Sequence, residues 1–540
     1  MEFNKYSYRY PSRRSLQYGK KGMVASSNPI VSQIGLDVLK AGGNAIDATV
    51  AAAAAIAVME PISNGLGTDN NALVYYEGKM YGLNATGPAP ALTDYDGIKS
   101  RARSGKYIQE VGWDPVTVPG TVAGWVALNQ RFGTMSLVDL LEPAAKLAEE
   151  GFPLQTTVAD VWKNNIGKYR QAVEIEPAVQ TWFDTFLPDG RVPEPGDIYF
   201  NQEMADTIRE IAATSGESFY RGAIADDIDA FARETGGSLR KEDLASFEVE
   251  WVEPITANYR GYDVWQLPPN GQGIITLEAL KILENFEDLS DCDSPLVQHR
   301  LIDACKMAIV DGVNYIGDPR FNDLDYDHLY SVDHARERFQ ELDDQAAWQP
   351  PNGEEVIGGT IYFSIMDGQG NGVSFIQSNC KGFGSGLVVP GRGIALHCRG
   401  THFSLDPDNP NCLAPGKRPY HTTMPGYLTK GDRNIGPYGC MGGTLQPQAH
   451  VQMLNRIIDG QMNPQESLDA PRWQWKRGRQ IEVEPHMPFN QVKQLIELGH
   501  EVQIVSTYDF FGRGQVVWLQ ENGALVGATD GRTDGSIAAY

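Results

Sequence analysis

Long apolar runs are missing from these 540 residues: the longest, 49–59, is about half alanine and far short of the ~20 residues that span a bilayer. No membrane-spanning helix is expected. Basic residues are few as well, Lys and Arg numbering 45 against 69 Asp and Glu, and a formal charge of -24 disfavours partners that present phosphate. Neither nucleic acid nor a membrane surface is therefore an expected partner. The six cysteines (Cys292, Cys305, Cys380, Cys398, Cys412 and Cys440) all lie in the C-terminal half, and no pair has CxxC spacing, which argues against a zinc ribbon or a disulfide-dense secreted scaffold. Reduced thiols are the expectation. His397, Cys398, His402 and Cys412 match no standard zinc spacing, so no metal or other cofactor is expected. The opening MEFNKYSYRYPSRRS lacks the apolar core and small-residue cleavage site of an export signal, and the cytoplasm is the expected location. What remains, at 41% hydrophobic and 21% charged residues, is a globular chain acting on a small molecule.

Asn28-Pro29 reads as a helix cap followed by proline at the first helical position, with a stop at Ala41-Gly42-Gly43. A second helix over 44–59 is apolar all round, which predicts burial on most sides. The loop 63–70, rich in Gly, Asn and Ser, leads into a strand at 72–76 and is of the kind that brings backbone close to a ligand, or simply turns the chain. Helical spacing dominates 136–235, strands return at 251–267, and a Pro-Pro-Asn-Gly turn precedes a helix at 274–283. The acidic, proline-bearing stretch 318–355 reads as irregular and exposed. Alternation over 361–365 and 373–377, around the turn 367–372, predicts a β-hairpin. Strands and helices segregate, so the predicted class is layered α+β.

Gly358-Gly359-Thr360 stands just before that hairpin. A flexible Gly-Gly lets the threonine hydroxyl reach its own preceding carbonyl, although the triplet alone also fits a plain turn into a strand. The wider text is more specific. Residues 22–67, VPGTVAGW (118–125), FGTM (132–135), YRGYDVWQLPPNGQG (259–273), KRPYHTTMP (417–425), MGG (441–443) and the terminal GATDGRTDGSIAAY resemble, in order and over nearly the whole chain, the γ-glutamyltransferase family of N-terminal nucleophile hydrolases.

That resemblance implies a single four-layer αββα sandwich made from a precursor that cuts itself before Thr360 into a large chain, 1–359, and a small one, 360–540. The two fragments would stay together. It implies Thr360 as nucleophile, with its freed α-amino group, of reference pKa ~7.7–8.0, as base. Ser378 takes the place of a supporting hydroxyl, and Gly442 and Gly443 that of two glycines whose N–H groups form an oxyanion hole ahead of a helix at Thr444. The pocket departs from the pattern. An arginine that holds the γ-glutamyl carboxylate in the family is matched by Thr93, and the acid that holds its ammonium by His402. Cys380, Arg399, His421 and Thr422 stand for an asparagine, a glutamine and two serines, and Thr68-Asp69-Asn70 replace a glycine triplet.

The resemblance implies, as the first expectation for this chain, cleavage of γ-glutamyl amides such as glutathione through an acyl-enzyme on Thr360, by hydrolysis or transfer. A pocket offering Arg399, His402 and His421 suits a carboxylate better than an ammonium, which points to the alternative of glutaryl or other dicarboxylic half-amides, as in cephalosporin acylases and oxamate amidohydrolases. Asp69 is the candidate for supplying the missing acid. A non-catalytic binding member is the remaining alternative, and a homo-oligomer is left open.

Overall fold

A computed structural model describes residues 14–350, 359–508 and 510–540. Gly358, the end of the stretch 318–355 beyond residue 350 and the opening thirteen residues lie outside them. The expected hairpin is present as Gly359–Asp367 and Gly372–Cys380. It forms the middle of an antiparallel sheet of seven strands in the order Ser536–Ala539, Gly22–Ser26, Gly359–Asp367, Gly372–Cys380, Asp69–Tyr76, Lys79–Ala85 and Glu250–Val252. A second antiparallel sheet of seven runs Gln17–Gly19, Leu525–Thr529, Arg513–Leu519, Arg433–Met441, Gly426–Lys430, Tyr262–Gln266 and Ile255–Tyr259.

The two sheets stack face to face. Three small apolar clusters draw from both, among them Met23, Ala25, Met366, Val517 and Leu525, and Tyr362 with Ile376 and Met441. The approach is close enough to demand glycine, since a Cβ on Gly439 would stand 2.5 Å from the Tyr362 ring. Each outer face carries helices. Pro29–Lys40, Ala45–Met59 and Leu137–Glu150 share one core with the hairpin sheet, while Gly273–Leu283, Pro295–Tyr315 and Leu445–Leu454 share another with the second sheet. The result is the predicted α+β sandwich with layers in the order αββα.

Local chemistry sets the elements around the hairpin. The Asn44 side chain accepts from the Ile46 and Asp47 amides, both at 2.9 Å, and Asp47 returns a bond from the Asn44 amide, closing a capping box. Every residue of Ala45–Met59 is buried, as its all-round apolar sequence requires. Asp367 fixes the hairpin turn through the Gln369 and Asn371 amides and also accepts from Ala45 N at 3.1 Å, so one carboxylate ties the turn to the buried helix. Among the described residues no helix is long and apolar enough to cross a membrane.

The stretch after residue 318 corrects the expectation of irregular chain. It holds two 3-10 turns, Pro319–Phe321 and Asp327–Tyr330, and the α-helix Val332–Gln340. That helix is anchored from outside itself: His334 Nε2 lies 3.1 Å from Glu278 and 3.2 Å from Asp311. No local pattern announces such contacts.

Candidate active site

At the open end of the hairpin the ladder slips. Gly359 pairs with Cys380 but Ile361 pairs with Gln377, so Ser378 and Asn379 together oppose Thr360 alone. Such a bulge re-aims side chains at a sheet end. Here Thr360 Oγ1 stands 3.1 Å from Ser378 Oγ, and both residues are fully buried. The Cys380 amide donates to Ser378 Oγ at 2.9 Å.

Arg399 reaches the same hydroxyl. It follows the short strand Ile394–Ala395 in the 3-10 turn Arg399–His402, which directs the guanidinium inward. Arg399 is 0% exposed. Its Nη2 donates to Ser378 Oγ at 2.7 Å, and its Nη1 to Thr422 Oγ1 at 2.9 Å and to His402 Nδ1 at 3.4 Å. Its Nε–H has no partner, and among the described residues no carboxylate lies within ion-pair distance. Nε and Nη2 form the edge with which Arg101 and Arg300 hold Asp114 and Asp344 in two parallel bonds elsewhere in this protein. At Arg399 half of that edge is open.

With Nδ1 occupied by Arg399, His402 presents Nε2 to Cys380 Sγ at 3.4 Å. Burial opposes charge on this thiol, but a hydrogen bond with Cys398 and the nearby His402 and Arg399 outweigh it and hold Cys380 well below the ordinary thiol range. All six cysteines are free. Cys412 donates to the carbonyl of Leu413 at 3.9 Å, a contact within its own loop.

Asp69 faces Ser378 across the sheet. Its Oδ2 takes His421 Nε2 at 3.1 Å and lies 3.5 Å from His397 Nδ1, while its Oδ1 takes the amides of Gly120 at 3.2 Å and Gly87 at 3.4 Å. Burial pushes the carboxyl up, and His397, His421 and Arg399 outweigh it, so Asp69 is held below the usual range. His421 Nδ1 accepts from Thr423 Oγ1 at 2.6 Å, which places its proton on Nε2. Burial first, then Arg399, lower the His421 pKa to about 3. His421 is therefore a neutral donor to Asp69.

Gly442 and Gly443 follow strand Arg433–Met441 with φ of 148° and 62°, backbone that glycine alone adopts readily. They precede helix Leu445–Leu454, whose cap residue Thr444 makes no side-chain cap bond. Gln272, which the sequence reading did not single out, joins them to the rest. Its amide donates to Gly443 O at 2.9 Å and to Thr422 O at 2.7 Å. One chain of hydrogen bonds thus runs from Gly443 through Gln272, Thr422, Arg399 and Ser378 to Thr360. Thr93 is not in it: its amide closes a turn on Pro90 at 3.0 Å, ahead of helix Tyr95–Arg101.

A hydroxyl at a strand start, a second hydroxyl beside it, a glycine pair at a helix entrance and a buried guanidinium make a site equipped for acyl transfer. Comparison with known proteins agrees. The family model for gamma-glutamyltranspeptidase matches residues 31–540. The chain belongs to the γ-glutamyltranspeptidase family. It is 34% identical to the glutathione hydrolase-like YwrD proenzyme of Bacillus subtilis, over 96% of this chain and 98% of that one. It is 32% identical to the oxamate amidohydrolase proenzyme of Klebsiella pneumoniae, again over 96% and 98%. Among solved structures, a cephalosporin acylase from Bacillus halodurans superposes with a TM-score of 0.95 at 48% identity, covering 100% of this chain and 99% of that one. Members of this family are hydrolases or transferases of amide bonds.

Proposed function

We propose that this chain is a self-processing N-terminal threonine acylase that cleaves amides of short dicarboxylic acids, with glutaryl-type groups as the acyl part. The observation that carries the reading is Arg399, a fully buried guanidinium with no carboxylate partner and an open Nε–H. Leaving such a charge unpaired costs several kcal/mol, which an anionic ligand recovers. In this reading the bond before Thr360 breaks first, as the proenzyme names of the relatives support. The freed amine then takes the Oγ1 proton, Oγ1 attacks the substrate carbonyl, and the N–H groups of Gly442 and Gly443 receive the oxyanion. The amine returns its proton to the leaving nitrogen, and water releases the acyl group.

A γ-glutamyl group, the substrate class of the glutathione hydrolases, brings an ammonium as well as a carboxylate. The carboxylate best placed to meet it is Asp69, whose oxygens are already taken by His421 and two backbone amides. The test is a panel of glutaryl, succinyl, oxamyl and γ-glutamyl anilides given to the purified protein. Glutaryl or succinyl should lead in kcat/KM by about tenfold or more. A hundredfold preference for γ-glutamyl, ~2.7 kcal/mol, would overturn the reading, as would no turnover of any member.

A further inference from the structure

A second unpaired guanidinium approaches Thr360 from the other side. Val517 lies in an apolar cluster between the sheets with Met23, Ala25 and Met366. Side chains alternate along a strand, so Arg513 and Gln515 face the same inter-sheet space. How far along that space Arg513 enters follows from the stacked strands. A Cβ on Gly436 would stand 2.8 Å from Met366 Sδ, and one on Gly439 would meet the Tyr362 ring. Arg433–Met441 therefore runs over Gly359–Asp367 in the opposite direction, which brings Met441 level with Thr360. Arg513 is the ladder partner of Met441. Its strand overlies the Gly22–Ser26 side of the nucleophile strand, whereas Arg399 bonds to Ser378 on the Gly372–Cys380 side.

Arg513 is 6% exposed, and among the described residues its guanidinium makes no hydrogen bond or ion pair. Three comparably buried arginines here hold carboxylates, Arg472 with Asp530, Arg532 with Glu484 and Arg418 with Glu250, whereas Arg456, far from the nucleophile strand's sheet, bonds among the described residues only to the carbonyl of Pro471. Two acids are near enough for Arg513 to act on their charge, Glu60 and Asp534, yet neither pairs with it. Glu60 accepts from Ser27 Oγ at 2.6 Å and Asp534 from the Thr157 amide at 2.9 Å. Burial pushes both carboxyls above the usual range, which weakens them as counter-ions.

We infer that Arg513 binds a carboxylate carried by the leaving amine, so that preferred substrates are anionic at both ends, one end on Arg399 and the other on Arg513. This rests on the acylase reading above. A substrate whose acyl carboxylate sits on Arg399 crosses Thr360 and sends its amine half toward the opposite side, where Arg513 waits.

The experiment compares two glutaryl anilides that differ only in a carboxylate on the leaving aniline ring, with wild type, Arg513→Met and Arg513→Lys. Wild type should favour the carboxylated anilide. Arg513→Met should lower its kcat/KM by about thirtyfold or more, as expected for removing one partner of a desolvated charge pair, and change the neutral anilide by less than about threefold. Retained turnover of the neutral anilide reports that the variant is folded and matured. Arg513→Lys, which keeps the charge without the fork, should fall between, and it carries the same comparison should the methionine variant not fold. Equal losses on both anilides, or none on the carboxylated one, would overturn the inference while leaving the acylase reading intact. Wild type turning over neither would overturn both.

Discussion

Replacing Arg399 with methionine separates its observed support of Ser378 from the proposed grip on an acyl carboxylate. Methionine keeps the apolar stem in its packing and removes the charge. The bond from Nη2 to Ser378 Oγ, 2.7 Å long, is lost whatever the substrate. A hydrogen bond from a charged donor contributes ~1.5 kcal/mol or more net, or roughly tenfold in rate. The clamp on an acyl carboxylate is lost only where the acyl group carries one. Removing one partner of a buried charge pair costs ~2–5 kcal/mol, about thirtyfold to several thousandfold. Glutaryl anilide should therefore lose roughly 300-fold or more in kcat/KM, and pentanoyl anilide, the same length without the carboxylate, only about tenfold. Arg399→Lys should recover part of the difference, because an ammonium is a point charge without the planar fork. The assay is aniline release under steady-state conditions with both substrates on the same enzyme preparation. Losses of the same size on the two anilides would refute the clamp and leave Arg399 as a support for Ser378.

Active protein should run as two fragments, the smaller beginning Thr-Ile-Tyr-Phe on N-terminal sequencing, and Thr360→Ala should stay a single inactive chain. An intact chain with full turnover would exclude the threonine mechanism. Asp530, buried with Arg472 at 2.7 Å and Arg532 at 3.0 Å, is predicted to matter for stability. Burial works against its charge, but the two guanidiniums and the Arg532 and Gly514 amides outweigh it and hold the pKa at about 2. A carboxyl depressed from ~3.9 by this much contributes about 2 kcal/mol above pH 4, lost as pH falls toward 2. Asp530→Asn, which leaves buried Arg472 without its carboxylate while Arg532 keeps Glu484, should cost ~3–5 kcal/mol in denaturant melts at pH 7. A loss under about 1 kcal/mol would show the pair to be dispensable.

What was legible in the sequence was local. The buried helix Ala45–Met59 announces itself by composition and by Asn44 and Asp47 at capping-box spacing, and the hairpin by alternation around Asp367-Gly368. The family motifs singled out Thr360, Ser378 and the glycine pair, and the structure sets the first two 3.1 Å apart. What escaped depends on parity and on long loops. Asp69 and His421 were both candidates, but their bond joins residues 352 positions apart, and the role it leaves to Asp69 could not be read from either one. Gln272 looked like part of a turn. Arg513 drew no reading from the sequence, because the face of its strand that points inward is fixed only by packing, through Val517.

Two of the pocket's departures from the family pattern, His402 and Arg399, act as one change. The resemblance puts an acid where His402 stands and a glutamine where Arg399 stands. In this structure His402 Nδ1 accepts from Arg399 Nη1 at 3.4 Å. A carboxylate in that place would meet the guanidinium directly, neutralise it and occupy the donors a substrate needs. An imidazole takes the same bond without a negative charge. Thr422 and Ser378 supply neutral oxygens to the remaining bonded hydrogens, and His421, held neutral by burial, adds no negative charge beside them. The exchange of the acid for His402 removes a competitor for Arg399 while keeping a bond to its Nη1. An arginine introduced without losing the acid would be spent inside the protein, and the acid lost without the arginine would leave nothing to hold a charged acyl group. The two exchanges make physical sense together, and under the proposed acylase reading they would suit the site to an anion in place of a zwitterion.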